Sequence, residues 1–233
     1  MVDDSGTGEP THGAEGGEDA PQEVKRRLRR ALRGARRARY AGEEGARRRE
    51  EEASRILAGA SGIVAEVTAA VARTGREPVL VACFRPLPTE ADVMPLAVAL
   101  AEAGAGILFP VAAGGEELDW VLWDGDEEAF TPSPAGGFGA EPTGDRLGAG
   151  ALAAAHLVLA PALAVDRSGT RLGHGGGYYD RALAPAARVR VVAVVHPTEV
   201  LAAGALPREG FDRPVAEVLT AEGLERVGDG TGA

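Results

Sequence analysis

Several things are scarce in this chain, and each absence narrows what the protein can be. Cys83 is the only cysteine in 233 residues, so no internal disulfide is possible. It sits inside an apolar run and reads as a small core residue rather than a nucleophile. No uninterrupted apolar run is long enough to span a bilayer. Residues 1–22 carry six acids and no Lys or Arg, the reverse of a signal peptide's basic start and apolar centre. The expectation is a cytoplasmic protein with no membrane partner. No internal repeat is found, and His12 and His196 lack metal-site spacing. Neither the Gly-Lys-Ser/Thr of a Walker loop nor the spacing of the dinucleotide fingerprint is present.

What remains is an ordinary globular composition, 45% hydrophobic and 26% charged, enough for one domain with a sizeable core or two small ones. The net charge of -10 is unevenly spread. Residues 23–55 hold 13 of the 25 basic residues against 6 acids. A basic segment on an acidic protein suggests a local anion site, or merely a solvated helix face.

Residues 1–22 are polar, Gly-rich and without apolar periodicity, and read as a disordered acidic tail. Residues 225–233 read as a flexible C-terminal tail, leaving one domain over 23–224. From Glu23, Val24, Leu28, Leu32 and Ala35 form an apolar helical stripe, and Lys25, Arg29, Arg33 and Arg37 form a basic stripe beside it. A second helix is expected from Glu43 to Arg73, broken near Gly59 or Gly62, and another over Ala91–Ala103 with Gly104 and Gly106 as stops. Buried strands are expected at Pro78–Phe84, Gly106–Pro110, His156–Ala162 and Val189–Val195. Leu118–Trp123 and Ala216–Thr220 are weaker candidates. Residues 130–150 read as a long loop, and Tyr178 opens a helix to Leu183. Strands alternating with helices indicate an α/β domain with a largely parallel sheet. Ligands of such sheets collect at the carboxyl ends of strands, here the loops after Phe84, Pro110 and Ala162.

The strongest motif is Arg171-Leu172-Gly173-His174-Gly175-Gly176-Gly177-Tyr178-Tyr179-Asp180-Arg181. Its glycines let the backbone approach a ligand unobstructed. A helix beginning near Gly177 would point free N–H groups into the loop, the physics of a phosphate cradle. Arg171 adds a planar cationic fork. Asp180 is suited to a magnesium ion bridging phosphate oxygens. Lys25 and Arg29, four residues apart on one helix, either clasp the same polyphosphate or belong to a solvated basic face, which is the plainer reading from spacing alone.

The string Arg-Leu-Gly-x-Gly-x-Gly-Tyr-Tyr-Asp resembles the signature loop of the 5-formyltetrahydrofolate cyclo-ligase family. The likeness continues in Leu159–Asp166, in Phe138-Gly139-Ala140-Glu141-Pro142 and in Lys25-Arg26-Arg27-Leu28-Arg29, and so covers about residues 23–224. It departs from the family pattern at Val93, His156, Phe211 and Ala216. The resemblance implies a three-layer, Rossmann-like α/β fold (NagB/RpiA/CoA-transferase-like) with a mostly parallel sheet. It also implies ATP- and Mg2+-dependent cyclisation of 5-formyltetrahydrofolate to 5,10-methenyltetrahydrofolate, with release of ADP and phosphate. Transfer of the γ-phosphoryl group to the formyl oxygen makes a leaving group of a poor one, and N10 of the folate attacks the activated carbon. The protein's work is then positioning and charge neutralisation.

Carried over residue by residue, the resemblance assigns ATP to Lys25, Arg29, Arg171, Leu172, Gly173, His174, Gly175, Gly176, Gly177, Tyr178 and Tyr179. The folate falls to Glu90, His174, Gly175, Gly176, Gly177 and Tyr178, with Phe84, Phe109 and Trp120 as further apolar surface for the ring. Asp180 and Asp212 are assigned to magnesium, and Arg171 and Tyr178 to catalysis. For Arg171, the bland alternative is a salt bridge to Asp166 or Asp180 that merely fixes the loop. Three other functions compete with this one. A non-catalytic folate- or nucleotide-binding paralogue is argued against by intact Lys25, Arg29, Arg171, Asp180 and Asp212. A sugar-phosphate isomerase or transferase would need a general base beside the loop, and none is evident. Nucleic-acid binding by the basic helix lacks a motif and faces an acidic remainder. A monomer is expected.

Overall fold

The structure is a computed structural model that describes residues 21–75, 78–113, 117–133, 139–210 and 212–228. Three helices come first: α1 (Pro21–Tyr40), α2 (Gly42–Gly59) and α3 (Ser61–Thr74). Gly42, at φ +72°, turns the chain between α1 and α2. The break expected near Gly59 or Gly62 falls at Ala60. Gly59 is required there, since a β-carbon would lie 2.8 Å from the Gly223 backbone. Then follow β1 (Leu80–Ala82), α4 (Met94–Glu102), β2 (Gly106–Ala112), β3 (Leu118–Leu122), β4 (Phe130–Pro132), β5 (Ala140–Pro142), β6 (Leu157–Pro161), β7 (Ala164–Asp166), β8 (Arg171–Leu172), α5 (Tyr178–Leu183), β9 (Arg190–Val194), β10 (Val200–Leu201), β11 (Glu217–Thr220) and β12 (Gly223–Arg226).

The main sheet runs β12-β11-β9-β6-β1-β2-β3. Its five inner strands are parallel, and the edge strands β3 and β12 are antiparallel. Alternate residues of each strand serve opposite faces. Val81, Phe109, Leu157, Leu159, Val192 and Leu219 pack with Ile56, Ile63, Val67 and Leu100 of α2, α3 and α4. Ala82, Leu108, Val158, Ala160, Ala193 and Val218 pack with Tyr179 and Leu183 of α5 and with Leu152 of a 3-10 turn. The result is the expected three-layer α/β domain.

A second, small sheet, β10-β7-β8, was not expected. Its Ala164 and Leu172, with Leu206, receive Leu28 and Leu32 of α1. Ala35, expected in the same apolar stripe, is exposed. The stretch 130–150 is less irregular than expected, because β4 and β5 pair as an antiparallel ladder. Both domain limits shift as well. Pro21 and Gln22 belong to α1, and Glu225 and Arg226 pair in β12 against Val218 and Glu217. The rest of the two tails lies outside the described residues. No single helix among the described residues is long and apolar enough to cross a membrane.

Candidate active site

At the carboxyl ends of β1, β2 and β6 a cleft opens to solvent, where ligands of parallel α/β sheets collect. Phe84, Arg85, Leu87 and Glu90 line it from the loop after β1, Pro110 from β2 and Pro161 from β6. Arg171, Gly173, His174, Gly176, Gly177, Tyr178, Tyr179 and Asp180 close the other side.

The glycine loop is held from behind by α1. Arg29 Nε donates to Gly173 O at 3.0 Å and Arg33 Nη2 to His174 O at 2.6 Å. Across a trans peptide the next N–H points the opposite way, so the His174 and Gly175 amides face away from those cations. Among the described residues, no backbone N–H of residues 174–177 donates a hydrogen bond. A run of free amide hydrogens in a concave loop is an anion site in waiting. Glycine is required at Gly175 (φ +110°) and Gly177 (φ +67°). At Gly176 a β-carbon would lie 2.6 Å from the Tyr178 ring. Arg181 steadies the turn, donating to Gly176 O at 2.7 Å with its guanidinium 5.2 Å from the Tyr178 ring centroid.

Beneath the loop, the Arg171 side chain is 2% exposed. Nη2 donates to Asp180 Oδ1 at 2.6 Å and Nη1 to Pro161 O at 3.2 Å. Both terminal nitrogens are therefore engaged with protein, and the pairing is with Asp180, the bland alternative read from the sequence. Two polar atoms at this floor have no partner among the described residues: Arg171 Nε and the Tyr179 hydroxyl. Burial pushes the Tyr179 phenol well above its ordinary value, so it serves as a neutral donor.

On the opposite wall Glu90 is 5% exposed. Oε1 accepts from His174 Nε2 at 2.7 Å and faces Arg36 Nη1 at 3.4 Å, and Oε2 accepts from Leu87 N at 2.8 Å. Burial would raise its carboxyl, but His174, the Leu87 amide and Arg36 together hold it below the ordinary value. Glu90 is thus a buried carboxylate hydrogen-bonded to a side chain from the glycine loop. The walls assigned separately to the nucleotide and to the folate meet at this hydrogen bond.

Lys25 is buried and donates to Glu209 Oε2 at 2.7 Å and Asp212 Oδ2 at 2.5 Å. Arg29 lies within electrostatic reach of Asp180, Asp212 and Glu209. Asp180 and Asp212 each engage a cation through one oxygen, and the other oxygen has no partner among the described residues. No cluster of three or more His, Cys, Asp or Glu among the described residues could hold a metal alone. Magnesium bound mainly through substrate phosphates and water needs only one or two carboxylates, and this donor set fits that mode alone.

Of the aromatic residues expected near the ligand, Phe84 and Tyr178 line the cleft. Phe109 and Trp120 do not. Both are wholly buried, Phe109 edge-on to Trp123 and Phe130, and Trp120 edge-on to Tyr179. Glu141 is also structural, accepting from Ser133 Oγ and Ala112 N. Phe138 and Phe211 lie outside the described residues. Burial pushes the Cys83 thiol up to about 12, as suits a core residue. Sequence reading missed Arg36, Glu199 and His196, all buried behind Glu90. Arg36 lies one residue off the four-residue basic stripe, so periodicity pointed to Arg37, which is exposed.

A sequence profile of the 5-formyltetrahydrofolate cyclo-ligase family matches residues 21–221. A 5-formyltetrahydrofolate cyclo-ligase of Mycolicibacterium smegmatis is 40% identical over 147 residues, which cover 60% of this chain and 72% of that protein. The fold is similar to that of a 5,10-methenyltetrahydrofolate synthetase from Aquifex aeolicus, with a TM-score of 0.64 and 23% identity, covering 90% of this chain and 96% of that one. It is also similar to a 5,10-methenyltetrahydrofolate synthetase from Mycoplasma pneumoniae, with a TM-score of 0.58 and 14% identity, covering 84% and 98%. At such identities these two structures speak for the fold alone.

Proposed function

The chain belongs to the 5-formyltetrahydrofolate cyclo-ligase family, and from that premise we propose that it couples ATP cleavage to cyclisation of 5-formyltetrahydrofolate. The observation that carries the reading is one cleft with a buried carboxylate, Glu90, on one wall and the free amides of residues 174–177 on the other. A carboxylate accepts the paired N–H donors of an aminopyrimidine edge. A concave run of amides takes phosphate oxygens.

In the proposed reaction the formyl oxygen attacks the γ-phosphorus of ATP and ADP leaves. N10 then bonds to the activated formyl carbon. The carbon–oxygen bond breaks, phosphate departs with that oxygen, and N10 loses its proton, giving 5,10-methenyltetrahydrofolate. Glu90 fixes the pterin, which aims the formyl group at the loop. The amides of Gly173 to Gly177 hold the phosphates, while Arg29 steadies the loop from behind and Lys25 holds Asp212 in place. Tyr178 and Phe84 cover the ring and exclude water. Arg171 acts chiefly through Asp180, holding that carboxylate toward the cleft. Asp180 and Asp212 would hold Mg2+ through their free oxygens, where it would neutralise phosphate charge.

The test is an absorbance assay for methenyl-folate formation from 5-formyltetrahydrofolate. Turnover is expected only with ATP and a divalent cation both present. Equal turnover in EDTA or without nucleotide would refute the mechanism, and no turnover in any mixture would refute the function.

A further inference from the structure

Glu90 is aimed at the cleft by a cation that no sequence motif marks. We propose that Arg36 is a positioning residue that sets the folate affinity of this site by holding Glu90 ionised and oriented, an inference that rests on the function proposed above.

Arg36 is 4% exposed on α1. Its fork grips Glu199, Nε to Oε1 at 2.6 Å and Nη2 to Oε2 at 2.8 Å. Nη2 also donates to Ala162 O, just past β6, at 2.6 Å. Glu199 is fixed in turn, because its Oε2 accepts from His196 N at 3.0 Å. A guanidinium pinned on two sides has one nitrogen left, Nη1, and it faces Glu90 Oε1 at 3.4 Å. That distance is long for a hydrogen bond. The effect is therefore mainly that of a fixed charge behind the carboxylate.

The backbone that carries Glu90 is tied down by two more side chains. Arg49 Nε donates to Glu90 O at 2.8 Å, and His196 Nε2 lies 3.1 Å from Thr89 O. Arg36 adds its fixed charge to the His174 and Leu87 hydrogen bonds that hold this buried carboxylate ionised. A protonated carboxyl would present a donor where the aminopyrimidine edge needs an acceptor. Lysine keeps the charge but cannot span Glu199, Ala162 O and Glu90 together, because it lacks the planar fork.

The placement on α1 adds a consequence. Arg29, seven residues earlier and about 10 Å along the helix, supports the glycine loop. One rigid helix thus bears on both walls of the cleft through different side chains. Changes at Arg36 should reach the folate wall and spare the nucleotide wall.

The experiment compares steady-state kinetics of the full chain with Arg36→Lys, Arg36→Met and Glu199→Gln. The expected result is a folate KM raised at least tenfold in Arg36→Met, with Arg36→Lys intermediate, while the ATP KM stays within twofold. Glu199→Gln keeps the cation but loosens its grip, and should raise the folate KM about threefold or more. It carries the test if Arg36→Met fails to fold. Folate and ATP KM rising in parallel, or a lower melting temperature with an unchanged folate KM, would make Arg36 only a fastener of α1 and overturn the proposal. A wild-type protein without ATP-dependent turnover would fail earlier, at the function itself.

Discussion

Leu159, in the centre of the main sheet, and Arg36, on α1, are both hidden from solvent, at 0% and 4% exposure. They owe their burial to opposite physics. Leu159 lies among apolar neighbours from several elements, none of them individually necessary. Arg36 is buried because two carboxylates and a carbonyl stand ready to receive it. The whole α1 seam follows Arg36. Its apolar contribution is Leu28, Leu32 and the ring of Tyr40 stacked on His196, while Lys25, Arg29, Arg33 and Arg36 reach carboxylates and carbonyl oxygens of the body. A core made of transfer free energy tolerates change in proportion to the volume removed. In a seam of paired charges, each loss strands a buried partner. The cleft walls hang on the seam, so the proposed site is the part of the molecule most sensitive to charge.

The largest effect that separates the two regions should come from the core. Leu159→Ala is expected to cost about 2–5 kcal/mol of stability, read by urea denaturation. Turnover per folded molecule at low temperature should stay within about twofold of wild type, and a selective loss of turnover would join core and site more tightly than the structure does. Next is Lys25→Met, which leaves Asp212 and Glu209 facing each other without their shared cation. Their side chains are 11% and 22% exposed, so the cost should be about 1–3 kcal/mol rather than that of a fully buried pair. It should be partly recovered in Lys25→Met combined with Asp212→Asn, and full additivity of the two would dissolve the seam as a unit.

The smallest effect is the effect of acid. Glu52 and Glu90 both lie below the ordinary 4.5 in the folded protein. For Glu52 burial works upward, but His196 and the Tyr40 hydroxyl outweigh it. Folded values below the unfolded one mean that the stabilisation is complete above pH 4.5. It is lost as pH falls through the depressed folded values. Melting temperature should therefore decline as pH falls below about 4.5. The gap between wild type and Leu159→Ala should stay constant over the same range, since burying methyl groups binds no proton. A gap that narrows with acid would show that the core and the seam do not separate.

Much of the framework was legible in the chain because its signals are local. The apolar runs at Val79–Cys83, Ile107–Phe109, Leu157–Ala160 and Val191–Val195 mark inner parallel strands, buried on both faces. Tyr178–Leu183 was bounded correctly, since Gly177 and the following residues declare a helix start. The small sheet of β7, β8 and β10 escaped because strands of two or three residues carry no period. Phe109 and Trp120 were misplaced because an aromatic ring reads the same whether it faces a ligand or a core.

The amino-acid sequence by itself determined which segments must be buried, where the backbone needs glycine, and that the chain belongs to the cyclo-ligase family. Only the tertiary structure decided what each charge does. It turned Arg171 toward Asp180, Lys25 toward Asp212, and His174 onto Glu90, and it chose Arg36 over Arg37 as the cation to bury. The reason is physical. Hydrophobic burial is non-directional and is announced by neighbouring residues. A buried ion pair depends on direction and distance between groups far apart in the chain, such as Arg36 and Glu199, 163 positions apart.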